Sequence, residues 1–343
     1  MNIREVLGIE LPIIQAPMAG VQGSALAIAV SEAGGLGSLP CAMLSTETLA
    51  QELATITKAT HKPFNVNFFC HTPPEACVTV EANWRRLLSP YFAEFGLDPN
   101  NIGSSASRAP FSHEIAEIVE AFRPPVVSFH FGLPSQDLLE RVKGWGATVL
   151  SSATTIDEAI WLEQHGADAV IAQGLEAGGH RGMFLSNDLS TQMGTFALLP
   201  QIVLAVKIPV IAAGGIASPA GIAAALALGA QAIQVGTAYL LTDEATTSPL
   251  HRNAIKSEAS RHTALTNLFS GRPARGIVNR LMTELDPIND ETPAFPLASG
   301  AIAPLRATAE ARGDGSFSPL WCGQNTEGCK EISAAELTRW LAN

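Results

Sequence analysis

Apolar positions along this chain come in two kinds of run. Short blocks of β-branched or small apolar residues end in glycine or a polar turn. Longer stretches follow, in which apolar residues recur at helical spacing. Eight short blocks are legible, at 13–16, 36–39, 64–69, 126–131, 148–153, 169–173, 209–213 and 232–235. Helical patterns follow at 22–33, 46–60, 135–145, 156–165, 194–206 and 219–228, with Ser45 as an N-cap for the second and Thr154 or Thr155 for the fourth. The connection after the third block is long, 70–123, and carries amphipathic runs at 76–95 and 113–122.

Strands apolar on both faces belong to a buried parallel sheet. Strand and helix alternating eight times predict an α/β fold, a (β/α)8 TIM barrel, with an insertion after strand three and a C-terminal cap region. An open doubly wound sheet has the same periodicity; the count of eight and the glycine-rich ends of the last two strands favour the barrel. The expected layout is a barrel from 1–69 and 124–248, with 70–123 and 249–343 forming a cap over its mouth. The tail holds a polar helical stretch at 251–264, then a proline-rich region with Pro287, Pro293, Pro296 and Pro304. No solenoid repeat or low-complexity tract is present.

The 343 residues are 47% hydrophobic and 15% charged, enough apolar side chain for a large core. A net charge of -11 excludes a broad basic surface for nucleic acid and leaves an anionic small molecule open, since a pocket's local field can oppose the overall sign. Residues 208–242 lack Asp, Glu, Lys and Arg, but Pro209, Pro219 and several glycines break the run into two strands, so it reads as barrel core and not as a membrane span. Five cysteines without a CxxC pair, and an N-terminus without a signal-like apolar region, fit reduced thiols in a cytoplasmic protein.

The chemistry concentrates after the last three strands. In GLEAGGHRGMF, His180 follows a glycine pair at a strand's C-terminal end, where barrel enzymes place catalysis. That placement favours a functional role over a loop histidine bonded to a neighbour. Arg181 either adds positive charge or is solvated. Gly214 and Gly215 in AAGGI, and Gly236 and Thr237 in QVGTAY, offer unobstructed backbone N–H groups and a hydroxyl, which is what a phosphate requires. Asn65 and Asn67 share one face of strand three, and His130 projects from strand four; for these a ligand or a buried network can each be the partner. Met18 in PMAG either touches a ring or packs. Cys41 lacks an activating partner and reads as structural. No HExxH, GxSxG, P-loop or metal-ligand pattern occurs in a fitting context.

Together QAPMAG (15–20), FNVNFF (64–69), FHFG (129–132), GLEAGGHRG (174–182), AAGGI (212–216), QVGTAYL (234–240) and SPLWCGQ (318–324) resemble the nitronate monooxygenase family, formerly 2-nitropropane dioxygenases. The resemblance spans nearly the whole chain. It implies an FMN-binding barrel that oxidises alkyl nitronates, such as propionate 3-nitronate, with O2 to carbonyl compounds and nitrite, by one-electron transfer to the flavin. It implies that Asn67, Gln173, Gly178, Gly215 and the run Gln234, Val235, Gly236, Thr237 hold FMN, with Gly214 beside them and Gln324 from the tail. Met18 would lie against the flavin ring, His180 would be the active-site histidine and His130 would line the substrate pocket. Partners would be a small anionic nitronate and O2, in a monomer or homodimer. The main alternative is an NAD(P)H-dependent flavin reductase, resembling the enoyl-acyl carrier protein reductases or quinone reductases. A non-catalytic flavin binder has no need of His180. A flavin-free barrel like inosine-monophosphate dehydrogenase would want a cysteine after strand six, where none occurs.

Overall fold

The computed structural model describes residues 2–99 and 108–343. Eight parallel strands form the barrel: β1 (Ile13–Gln15), β2 (Gly37–Pro40), β3 (Phe64–Phe69), β4 (Val126–His130), β5 (Thr148–Ala153), β6 (Ala169–Gln173), β8 (Val210–Ala213) and β9 (Ala232–Val235). Between β6 and β8 lies a two-residue strand, β7 (Gly179–His180), outside the barrel. Neighbouring barrel strands run in the order β1-β9-β8-β6-β5-β4-β3-β2. The ring closes through a parallel bridge between Ile14 and Leu36, with the Gln15 N–H donating to the Leu36 carbonyl.

The strands read as unbroken apolar runs because both faces are buried. Ile14, Leu36, Val126, Leu150, Ile171 and Ile211 point into the barrel, and the short helix Ile3–Leu7 packs on them through Ile3 and Leu7. Alternate residues such as Val66, Val127, Val149, Val170, Val210 and Ile233 point outward under the helices. Local capping chemistry sets the helix starts. Ser45 Oγ accepts from the Thr48 N–H at 3.1 Å, and Thr155, not Thr154, caps the helix Ile156–Gln164.

Above the strands lies a second core. The inserted helix Val78–Phe95 packs on the tail helix Ser299–Ala311, joining Trp84, Leu88, Phe92 and Phe95 to Leu305, Ala309 and Phe317. Residues 100–107 of the expected insertion lie outside the described residues.

The tail departs from expectation in two places. The polar stretch expected as one helix at 251–264 is the helix Pro249–Lys256, a 3-10 turn Glu258–Arg261 and then a strand, β10 (Thr263–Thr266). Ser257 ends the helix in an extended conformation, and Thr263–Thr266 finds an antiparallel partner in β11 (Ala274–Ile277). The pattern could not show that partner. The last helix, Ala334–Leu341, is no part of a cap. It packs between Ser24–Glu32 and Pro219–Ala227 on the barrel wall, where the helix after β9 belongs. A Ser333/Glu336 capping box starts it, and Thr338 Oγ1 meets the Tyr239 hydroxyl at 2.8 Å.

Among the described residues no helix is long and apolar enough to cross a membrane. No group of three or more His, Cys, Asp or Glu among them is placed to hold a metal.

Candidate active site

The C-terminal ends of the barrel strands open into a cavity of about 310 Å³. Met18, Asn67, His130, Gln173, Gly178, His180, Gly214, Gly215, Gln234, Gly236 and Thr237 line it. Two expected site residues do not. Val235 is turned into the outer core, and its carbonyl accepts the Ala16 N–H. Gln324 is exposed, whereas Gly323 and Asn325 on either side of it line the cavity, so the intervening side chain faces away.

At the ends of β8 and β9 the wall is backbone. Gly214 and Gly215 have φ of 115° and 70°, and a Cβ on Gly214 would lie 3.0 Å from Thr195 Oγ1. The tail folds over this side: the Gly323 N–H donates to Thr237 Oγ1 at 2.9 Å, and Asn325 Nδ2 donates to the Gly215 carbonyl at 2.9 Å. Gln234 Oε1 is buried here without a hydrogen-bond partner. A buried acceptor left unmatched is costly, and a ligand donor would satisfy it. The orphan acceptor beside bare glycine backbone fits a flavin mononucleotide.

His180 is held on three sides. Its strand β7 pairs with β11, His180 opposite Ala274. Its carbonyl accepts from Gln173 Nε2 at 2.9 Å and from His130 Nε2 at 3.2 Å. Its own Nε2 lies 2.8 Å from Ser270 Oγ. Phe295 and Trp321 stand edge-on to the imidazole, with ring centroids 5.4 and 5.5 Å away. Burial, then the positive charge of Arg108 and, after it, of Arg272, holds its pKa well below the usual histidine range, so the ring is neutral at physiological pH.

Gln173 and His130 line the cavity, but their polar atoms are occupied by the loop. Gln173 Oε1 accepts the Gly182 N–H at 2.7 Å while its amide donates to His180. His130 must carry its proton on Nε2 to donate to that same carbonyl, which leaves Nδ1 to accept from Ser152 Oγ at 3.1 Å. The structure therefore gives both residues a part in positioning His180. Asn67 Nδ2 donates to Ser128 Oγ at 2.9 Å. Asn65, one step deeper, sits in a buried network with Ser38 and Ser128. Arg181 is neither solvated nor a free charge. It is fully buried, and Nη1 and Nη2 donate to the carbonyls of Gly174 and Gln173, each at 2.7 Å.

Burial pushes the pKa of His71, His130 and His251 down to about 4. The unfolded chain takes up these protons near the ordinary value of about 6.5, while the folded protein resists until about 4. Stability present above pH 6.5 is therefore lost as pH falls toward 4, on the order of 3 kcal/mol for His130 alone. Urea unfolding at pH 7, 5.5 and 4.5 measures this; a flat profile would show that these rings titrate normally.

The sequence reading missed Arg108, Phe131, Ser270, Arg272, Phe295, Arg306 and Trp321. The Arg272 guanidinium lies 4.0 Å from the Phe131 ring centroid and bonds the Met183 carbonyl. Arg306 pairs with Glu310 at 2.7 Å. Phe131 and Trp321 fall inside FHFG and SPLWCGQ without being singled out there; the others sit in none of the quoted motifs, and all but Phe131 come from the insertion and the tail and meet the strand ends only in the folded chain.

The nitronate monooxygenase family model matches residues 2–343. A nitronate monooxygenase of Paraburkholderia phytofirmans is 43% identical, with 98% of this chain and 92% of that protein aligned. A nitronate monooxygenase of Pseudomonas aeruginosa is also 43% identical, over 98% of this chain and 96% of that one. Among solved structures, a nitroalkane oxidase from Streptomyces ansochromogenes superposes with a TM-score of 0.90 at 38% identity, covering 100% of this chain and 97% of that one. FabK from Thermotoga maritima has a TM-score of 0.73 at 28% identity, over 99% and 94%.

Proposed function

This chain belongs to the nitronate monooxygenase family, and on that premise we propose that it binds FMN and oxidises small alkyl nitronates with O2 to carbonyl compounds and nitrite. The observation that carries the reading is His180 sharing one cavity with the glycine-built ends of β8 and β9. The residues that would hold FMN are Gly214, Gly215, Gly236 and Thr237, with Gln234 supplying an acceptor and Met18 an apolar contact. Bound there, FMN would supply the redox step, accepting an electron from the nitronate, while the protein supplies binding, orientation and electrostatics.

His180 then has a defined task. A nitronate is already deprotonated, so the site needs no strong base, and a neutral imidazole suits it. The ring hydrogen-bonds the nitro oxygens and orients the reacting carbon. A bound anion also raises the proton affinity of His180, so substrate itself offsets the surrounding positive charge. The aromatic wall of Phe69, Phe131, Phe295 and Trp321 excludes water and strengthens these contacts.

The test is anaerobic mixing of the purified yellow protein with an alkyl nitronate or with NADH or NADPH. The expected result is loss of the yellow colour with the nitronate alone. Rapid bleaching by the nicotinamides would replace this reading with a reductase, and a protein that takes up no FMN would refute both.

A further inference from the structure

We propose that Arg108 is the anion receptor of this site, its guanidinium taking the two oxygens of the substrate's anionic O–N–O group. The inference rests on the nitronate reading for the identity of the substrate, and on this chain's own geometry for the residue. Arg108 lines the cavity that contains His180. Its Cζ lies 5.7 Å from the centroid of Phe295, whose ring is 5.4 Å from that of His180, so the two groups stand on one aromatic wall. Arg108 Nη1 is buried, and among the described residues it has no hydrogen-bond partner.

The cations around it are committed elsewhere. Arg306 is paired with Glu310; Arg272 also has a buried Nε without a partner among the described residues, but it bonds the Met183 carbonyl, lies over Phe131 and is not part of the cavity lining. Glu310 lines the cavity too, and it is engaged by Arg306 and by Ser318 Oγ, the latter at 2.7 Å. It is the one carboxylate of the described cavity lining, so none is left there to neutralise Arg108.

A buried guanidinium N–H without an acceptor loses its hydration for nothing in the unliganded protein, and an arriving anion restores the bond. The planar fork of a guanidinium matches a planar group with two oxygens, which a lysine ammonium cannot do as well. In a chain of net charge -11, this local positive charge is what lets an anion enter.

The experiment uses the full chain loaded with FMN, in the variants Arg108→Met, Arg108→Lys and Arg261→Met. Nitrite is the probe for calorimetric titration, because it carries the O–N–O group and needs no turnover. Arg108→Met should weaken nitrite binding by about 10- to 100-fold. It should raise KM for ethyl nitronate by a similar factor, with kcat within about 3-fold, while Arg108→Lys falls between the two. Arg261→Met, an exposed arginine outside the cavity lining and paired with Glu258, should stay within about 3-fold of wild type. Unchanged nitrite affinity in Arg108→Met, or an equal loss in Arg261→Met, would overturn the proposal. Intact circular dichroism and an intermediate Arg108→Lys separate lost recognition from lost folding. A wild-type protein that binds nitrite through Arg108 but oxidises no nitronate would refute the proposed oxidation and leave the anion site standing.

Discussion

His180→Asn lowers nitronate turnover by about 100-fold or more, with FMN content unchanged. The size follows from position. The His180 backbone is clamped by Gln173 and His130, and its ring is anchored by Ser270, so the imidazole arrives oriented and loses little freedom when substrate binds. Asparagine keeps a polar group but ends short of the imidazole's far nitrogen. It also cannot gain a proton as the anion docks. Steady-state turnover of the loaded variant measures the effect, and activity equal to wild type would remove His180 from the chemistry. Because the clamp acts through the His180 carbonyl, the substitution leaves the loop in place. The expected loss is therefore chemical, and thermal unfolding of the variant should match wild type.

Arg181→Met costs stability, about 3–5 kcal/mol, without touching the cavity lining. The buried Arg181 guanidinium donates to the carbonyls of Gln173 and Gly174 and, through Nε, to Gln192 Oε1 at 3.0 Å. Gln192 in turn donates to Thr154 Oγ1, and Thr154 donates to Glu158, whose other oxygen accepts the Phe184 N–H. The arginine thus ties the end of β6 to the loop that carries His180. Methionine fills part of the volume but leaves three acceptors without donors in a dry interior, at about 1–3 kcal/mol each before relaxation. Urea unfolding gives the number, and a loss below about 1 kcal/mol would mean that water or rearrangement replaces those bonds. Lysine restores the charge but not the fork, so it recovers less than half of the loss.

The two positions are adjacent in sequence and opposite in consequence. His180 stands in the cavity and Arg181 beneath it, because residues one apart on an extended segment point to opposite sides. The sequence distinguished His180 by its glycines and left Arg181 between a site charge and a solvated one. The same alternation separates Gln234 from Val235, and Gly323 and Asn325 from Gln324. Where a resemblance names a run of residues, only the fold says which of them face the ligand.

By itself the sequence determined the barrel. Eight short apolar runs, buried on both faces and punctuated by glycine, have few ways to pack other than as parallel strands wrapped by helices. It also determined which strand ends are bare backbone and which carries the histidine, since those are local patterns. Tertiary structure alone decided the rest. The partner of β10, the last helix on the barrel wall, and the meeting of Arg108, Ser270, Phe295 and Trp321 around His180 all depend on contacts between residues far apart in the chain. Such contacts leave no periodicity to read. Electrostatics divides the same way: composition makes the protein strongly acidic, while folding leaves Arg108 on the cavity wall with no carboxylate of the described lining free to pair with it.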